Sequence, residues 1–319
     1  MWKPFPSGSS PHFYFPDFFL KEQQPWFTHE KTAFISPKDL INQISLSAGL
    51  LSTPTWEREC PLFFEEAFVD LKQKMSDGSL AKAVPFVMET AQSPMSPERL
   101  VSSIKHALLY QARSPTFLYG FWGEHEGILG VTPELLFKFV EENQLETMAC
   151  AGTRKTSDNP QALLSDPKEM HEHRVVVEGI AESLTPFGDV SKGELQLLTL
   201  PNLTHLMTPI HVTLKAIPNI EDIVKALHPT PALGAFPREA GSLWLKEYQN
   251  NIDRKRFGAP IGYVHSTQAN FYVAIRNVQW DKKQMRIAAG CGIVPASQLE
   301  REKEEINLKL RAIKEMLSL

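Results

Sequence analysis

The stretch that most constrains this chain is its C-terminal end, Ser297 to Leu319, which reads SQLEREKEEINLKLRAIKEMLSL. It holds no glycine or proline and opens on a serine able to cap the first turn, so it spells one long helix. At about 100° per residue, Leu299, Ile306, Leu310, Ile313 and Leu317 share one narrow stripe. Glu302, Glu305 and Lys309 line one flank of that stripe. Carboxylates in that position have two readings. Either they form a solvated border, with Glu305 and Lys309 paired one turn apart, or they are aimed at a positive charge inside.

A second helix bears on the choice. Asp166 is a good N-cap and Pro167 suits the first helical position of KEMHEHRVVVEGIAESL. Glu169, Glu172, Val176, Ile180 and Leu184 fall on one face, with His173 beside it. Glu169 has a local explanation as the third-position glutamate of a capping box. Glu172 has none, and an unpartnered carboxylate on a core-facing stripe would cost several kcal/mol. Two helices thus each present Glu-x-x-Glu: Glu169/Glu172 and Glu302/Glu305. Four oxygen donors without Cys or a His-x-x-x-His pair suit Mg²⁺ rather than Zn²⁺, with an anionic ligand completing the shell. His171 and His173 point apart on a helix and make a poor zinc pair.

The rest of the chain is consistent with a sizeable core. Of 319 residues 42% are hydrophobic and 22% charged, which argues against disorder. A net charge of −4 gives no reason to expect nucleic acid or an anionic membrane as partner. Cys60, Cys150 and Cys291 show no CxxC or metal-ligand spacing and suit a reduced, cytoplasmic protein. No signal-peptide pattern opens the chain, and no apolar run approaches the ~18 residues of a membrane span.

Residues 1–30, rich in Pro, Ser and Phe, read as loop with a short strand at His12–Phe15. Within residues 56–77 the stretch after Pro61 predicts a helix burying Phe63, Phe64, Ala67, Phe68 and Leu71. The apolar run LAKAVPFVMET then carries one lysine, Lys82, which either snorkels to the surface or, if buried, becomes a candidate base. Ser96–Ala112 predicts an amphipathic helix, and Phe117–Phe139 alternates as sheet. Glu134, after Pro133 at a strand junction, is either a turn residue or a buried acid with a raised pKa. The strand LETMACAGT ends in the corner Ala151-Gly152-Thr153, where backbone can approach a ligand closely. Residues 154–167 read as polar loop. Gly258–Val294 reads as a three-stranded meander, with Tyr272, Ala274, Arg276, Val278 and Trp280 on one face of the middle strand. A guanidinium there wants a carboxylate, from an internal glutamate or from a substrate. Gly290 and Gly292 again permit close backbone approach.

The segments TPELLF, CAGTRKT, DPKEMHEHRVVV, LTHLMTPI, LHPTPALGAFPREA, DRKRFGAPIG, FYVAIRN and GCGIV…LEREKEEINLK, in this order, resemble the chorismate-utilising enzymes, and within them the isochorismate synthases. The likeness runs from about residue 80 to the end. It implies an α/β (α+β) fold, one large domain over 1–319 of two packed antiparallel sheets surrounded by helices, with 1–79 a shortened, divergent N-terminal part. It also implies roles. Lys82 matches the lysine that activates water for attack at C2 of chorismate, and Glu134 the acid that protonates the departing C4 hydroxyl. Glu172 and Glu305 match Mg²⁺ ligands, with Glu169 and Glu302 as outer partners through water. Arg276, with backbone from Gly152 and Gly290, resembles the grip on the enolpyruvyl carboxylate, and Thr153, Lys309 and His228 resemble further substrate-binding residues of the cleft.

Two positions separate the branches of the resembled family. Anthranilate synthases carry glutamine at the place of Lys82, and aminodeoxychorismate synthases a lysine at that of Ala151. Lys82 and Ala151 together imply water as nucleophile and no glutaminase subunit; a monomer is expected. Salicylate synthases, which also eliminate pyruvate, share these residues, and a chorismate-binding protein without turnover would keep the glutamates and Arg276. There are departures too. Val87 stands for an arginine, Pro85 enters the strand, Phe257 replaces a ligand-binding tyrosine, and Ala235 and Ala259 replace glycines. Losing one hydrogen bond to a charged group costs ~1.5–3 kcal/mol, enough to weaken binding without abolishing chemistry.

Overall fold

The computed structural model describes residues 10–45, 51–266 and 268–319, so the reading of residues 1–9 as loop lies outside the described residues. Two antiparallel sheets carry the architecture, as the resemblance implies. In the six-stranded sheet the neighbours run Glu57–Arg58, Phe86–Ala91, Met285–Gly290, Asn277–Trp280, Gly127–Thr132 and Phe117–Trp122. In the nine-stranded sheet they run Gly188–Lys192, Leu203–Leu214, Gln144–Lys155, Leu135–Glu141, Gln268–Val273, Pro260–His265, His12–Tyr14 and Trp26–Phe27, with Gln196–Thr199 also on Leu203–Leu214. A two-stranded ribbon pairs Lys82–Ala83 with Ala235–Phe236.

The chain passes from one sheet to the other at two corners, and these position the site. After Gly127–Thr132 it turns at Pro133–Glu134 into Leu135–Glu141 of the other sheet. After Gln268–Val273 it turns back at Ala274–Arg276 into Asn277–Trp280. The corners are stitched together by Val273 N–H to the Glu134 carbonyl (3.1 Å) and Val131 N–H to the Arg276 carbonyl (3.2 Å). This corrects the expectation of one continuous middle strand. Arg276 takes a left-handed φ of +54°, so the alternation of Tyr272, Ala274 and Arg276 with Val278 and Trp280 does not place them on one face. The apolar run through Lys82 is likewise broken, at Val84-Pro85, because proline cannot donate to the ladder.

Helices form where their signals stand. Ser96 caps Pro97–Gln111 and Asp166 caps Pro167–Leu184, accepting from the Lys168 and Glu169 amides. Phe63–Ser76 buries Phe64, Ala67, Phe68 and Leu71, while Phe63 is half-buried and stacks on Tyr248 at 4.6 Å. The C-terminal helix, Leu299–Leu317, buries Ile306, Leu310, Ile313 and Leu317 against the strand Met285–Gly290 and the helix Pro97–Gln111. Its expected cap differs: the Ser297 hydroxyl accepts from Val294 N–H, and Gln298 holds the cap position without a side-chain bond. Residues 154–167 are more regular than a loop, since a strand runs to Lys155 and a 3-10 turn covers Pro160–Ser165. Among the described residues no helix is long and apolar enough to cross a membrane.

The departures noted above are absorbed by packing. Val87, Ala235, Phe257 and Ala259 are all buried. Gly258, at φ +83°, could not carry a side chain even if its φ allowed one, because a Cβ would fall 2.1 Å from Leu233 Cδ2. Nearby, the wholly buried Arg254 has no carboxylate partner among the described residues and lies 3.7 Å from the Phe18 ring centroid.

Candidate active site

A narrow cleft opens between the two crossing corners and the C-terminal helix. Its walls include Glu134, Gly152, Thr153, Glu172, Arg276, Gly290, Glu305 and Lys309. Residues scattered over 170 positions of sequence are thus brought to one place by the sheet crossings and the two acidic helices. A roomier groove of about 480 Å³ lies elsewhere, beside Phe19 and Trp280, and holds none of the candidate residues.

Lys82 does not snorkel. Its side chain is fully buried just behind the cleft wall, and its Nζ donates to the Pro231 carbonyl at 2.7 Å and lies 3.4 Å from Glu172 Oε1. Burial pulls its pKa down against the opposing pull of Glu172. Glu134, also buried, receives a 3.4 Å hydrogen bond from the Thr230 hydroxyl. Burial pushes its carboxyl up to about 7, although Lys82 pulls the other way. The two groups feel each other's charge without an ion pair, and burial displaces them in opposite senses. The lysine is moved toward the neutral amine and the glutamate toward the neutral acid.

Arg276 is the anion-seeking group of the cleft. Its Nη2 donates to His205 Nε2 at 2.6 Å, and among the described residues no carboxylate pairs with it. Guanidinium can only donate, so the ring proton of His205 sits on Nδ1, 3.1 Å from Thr153 Oγ1. Burial first, and then Arg276, holds His205 well below the ordinary histidine range, so the ring is neutral. The Thr153 amide in turn donates to Glu169 Oε2 at 3.0 Å. Arg276 is therefore tied to the acidic helices through His205 and Thr153. Lys309, the second cation, spans Glu305 (2.7 Å) and the Gly290 carbonyl (2.8 Å).

Three of the four glutamates converge on a residue that carried no expectation, while Glu305 pairs with Lys309. Lys168 Nζ lies 3.2 Å from Glu169, 3.1 Å from Glu172 and 3.2 Å from Glu302, and Glu305 adds to the field around it. Burial and crowding push Glu169 up to about 8 and raise Glu302 as well, whereas Lys168 and Lys82 overcome burial to hold Glu172 below its usual value. Among the described residues no three His, Cys, Asp or Glu side chains form a ready-made metal cage. The donor set nonetheless fits a hard dication: it is all oxygen and mostly buried, and burial raises Glu169 and Glu302, a cost that a dication would relieve. His171 is exposed and His173 buried against Thr208, so they diverge as expected.

His228 does not line the cleft. It is buried against the N-terminal segment, with Nε2 2.6 Å from the Phe18 carbonyl and its ring against the Phe18 ring, and burial takes its pKa down to about 3. His205 and Lys168 had weak marks in the sequence: a histidine in the strand LTHLMTPI, and a lysine in the first turn of a helix, where the dipole disfavours it. Gly292 is the tightest point of the site. A Cβ there would stand 1.9 Å from Glu172 Oε1 and 2.7 Å from Lys82 Nζ. Gly292→Ala is expected to push both groups aside and destabilise the chain by ~1–3 kcal/mol, read by thermal melting; a variant that melts with wild type would show the contact to be slack.

Known proteins resemble this chain in sequence and in fold. A salicylate biosynthesis isochorismate synthase of Pseudomonas aeruginosa is 35% identical over 200 residues, 60% of this chain and 42% of its own length. An isochorismate synthase MenF of Haemophilus influenzae is 34% identical over 59% of this chain and 46% of its own. The matched part therefore spans less than half the length of these relatives. The fold is that of a putative 2,3-dihydroxybenzoate-specific isochorismate synthase, DhbC, from Bacillus anthracis, with a TM-score of 0.78, 24% identity, and 98% of this chain and 85% of that one covered. The anthranilate synthase component I of Streptococcus pneumoniae, at 21% identity, shares it with a TM-score of 0.70 over 82% of this chain and 60% of its own. Residues 51–318 match the family described as chorismate binding enzyme. With that match over most of its length, the chain belongs to the chorismate-binding enzymes.

Proposed function

We propose that this chain isomerises chorismate to isochorismate, adding water at C2 and expelling the C4 hydroxyl. The observation that carries the reading is the opposed pair: Lys82 wholly buried with its pKa drawn down, and Glu134 raised to about 7, with no ion pair between them. In its neutral form Lys82 Nζ accepts the proton of the attacking water, and Glu134 gives its proton to the departing oxygen. One water enters and one leaves, so the net change is an isomerisation. Arg276 and Lys309 hold a carboxylate at the cleft wall, and the sheet crossings fix where it lies. A Mg²⁺ held by Glu172 and Glu305, with Glu169 and Glu302 outside them, would neutralise the ring carboxylate beside the breaking C–O bond. Alanine at 151 and lysine at 82 favour water over an amine as nucleophile, so no ammonia-supplying subunit is needed.

The test is product analysis. Chorismate and Mg²⁺ with the purified chain should yield isochorismate, and chelation should stop the reaction until Mg²⁺ is returned. Salicylate and pyruvate in equal amounts would extend the assignment to elimination. Chorismate that binds and is never consumed would overturn it.

A further inference from the structure

Lys168 stands where its own helix does not want it. It lies in the first turn of Pro167–Leu184, at the positive end of the dipole, a place that favours carboxylates. What holds it is the acidic cluster, three of whose members approach its Nζ within 3.2 Å. The cluster is also a neck. Glu305 and Thr153 line both the inner cleft and a second depression on the outer side, and Lys168, Glu169 and Glu302 line the outer one. Asp158 lies along that outer depression, where Glu304 already holds Lys155 at 2.5 Å, so the flexible stem of the lysine has a carboxylate and open solvent to reach toward if it leaves.

We propose that Lys168 is the resident counter-ion of the carboxylate cluster, holding it assembled without metal and swinging outward when a dication enters. This rests on the Mg²⁺ reading above and gives it a selectivity. A monovalent ion would replace one positive charge with one and forfeit the contacts of the ammonium. A dication doubles the attraction to every carboxylate and alone repays the displacement.

Two measurements without chorismate test this. Calorimetric titration with Mg²⁺ should show Lys168→Met binding roughly tenfold or more tightly than wild type, because the competing charge is gone. The metal-free variant should melt lower than wild type and recover with Mg²⁺. Equal affinities, or weaker binding by the variant, would overturn the counter-ion role while leaving the metal site standing. Binding by neither protein would overturn the Mg²⁺ reading and this one with it. If Lys168→Met does not fold, acetylation of wild type followed by mass spectrometry decides. Modification of Lys168 should rise when Mg²⁺ is present, and an unchanged level rejects the swing.

Discussion

Replacing Lys82 by alanine is expected to lower turnover of chorismate by ~10²–10⁴, the range lost when a positioned general base is removed. Most of that loss should fall on kcat, since Lys82 lies behind the cleft wall and touches Pro231 and Glu172. The geometry makes the experiment clean. Glu172 keeps Lys168 at 3.1 Å in the metal-free chain, and a dication would take that place when bound, so the carboxylate is not left unpaired and the fold should persist. Lys82→Arg is the sharper control: a guanidinium stays protonated and cannot act as base, so it should be as inactive as alanine. Turnover within tenfold of wild type in a folded Lys82→Ala variant would remove Lys82 from the chemistry.

How much of this was legible in the sequence depends on the range over which each feature is encoded. The helices and their acidic faces are local, written in caps and a 3.6-residue spacing, and Glu169/Glu172 and Glu302/Glu305 were visible for that reason. The sheet crossing at Ala274–Arg276 was not. No glycine or proline interrupts Val273 to Asn277, and a left-handed arginine leaves no mark in the letters. Ser297 had the right residue type for a cap and was claimed instead by the Val294 amide next to it. Lys168 was hidden by the helix that makes it. Its first-turn position reads as solvated surface, and only the arrival of Glu302 from 134 positions later turns that surface into an enclosed site. His228 went the other way: its role lies with Phe18, a residue far off in the chain that no local pattern joins to it. For Lys82 and Glu134 the residue types posed the question, surface or buried, and tertiary packing answered it.

Glu134→Gln is expected to cost turnover ~10²–10⁴ through loss of the general acid, and it carries a second signature, that of a buried carboxyl holding its proton near neutral pH. In the folded chain Glu134 titrates at about 7, against 4.5 for the same group in water. Its folded-state pKa is raised, so the sign follows directly. Below pH 4.5 folded and unfolded chains both hold the proton, and this contribution to stability is fully present. As pH rises toward 7 the unfolded chain releases the proton while the folded one keeps it, and stability is lost across that window. Above 7 both have ionised and the loss is complete. A difference of this size corresponds to about 3 kcal/mol. Glutamine cannot ionise, so the variant should match wild type near pH 4 and gain on it by about that much near pH 8. Wild-type turnover should fall as pH rises through 7, as the acid is titrated away. Denaturation curves at the two pH values distinguish the alternatives: stabilities that stay parallel from pH 4 to pH 8 would mean that Glu134 is ionised in the folded chain and has no proton to give.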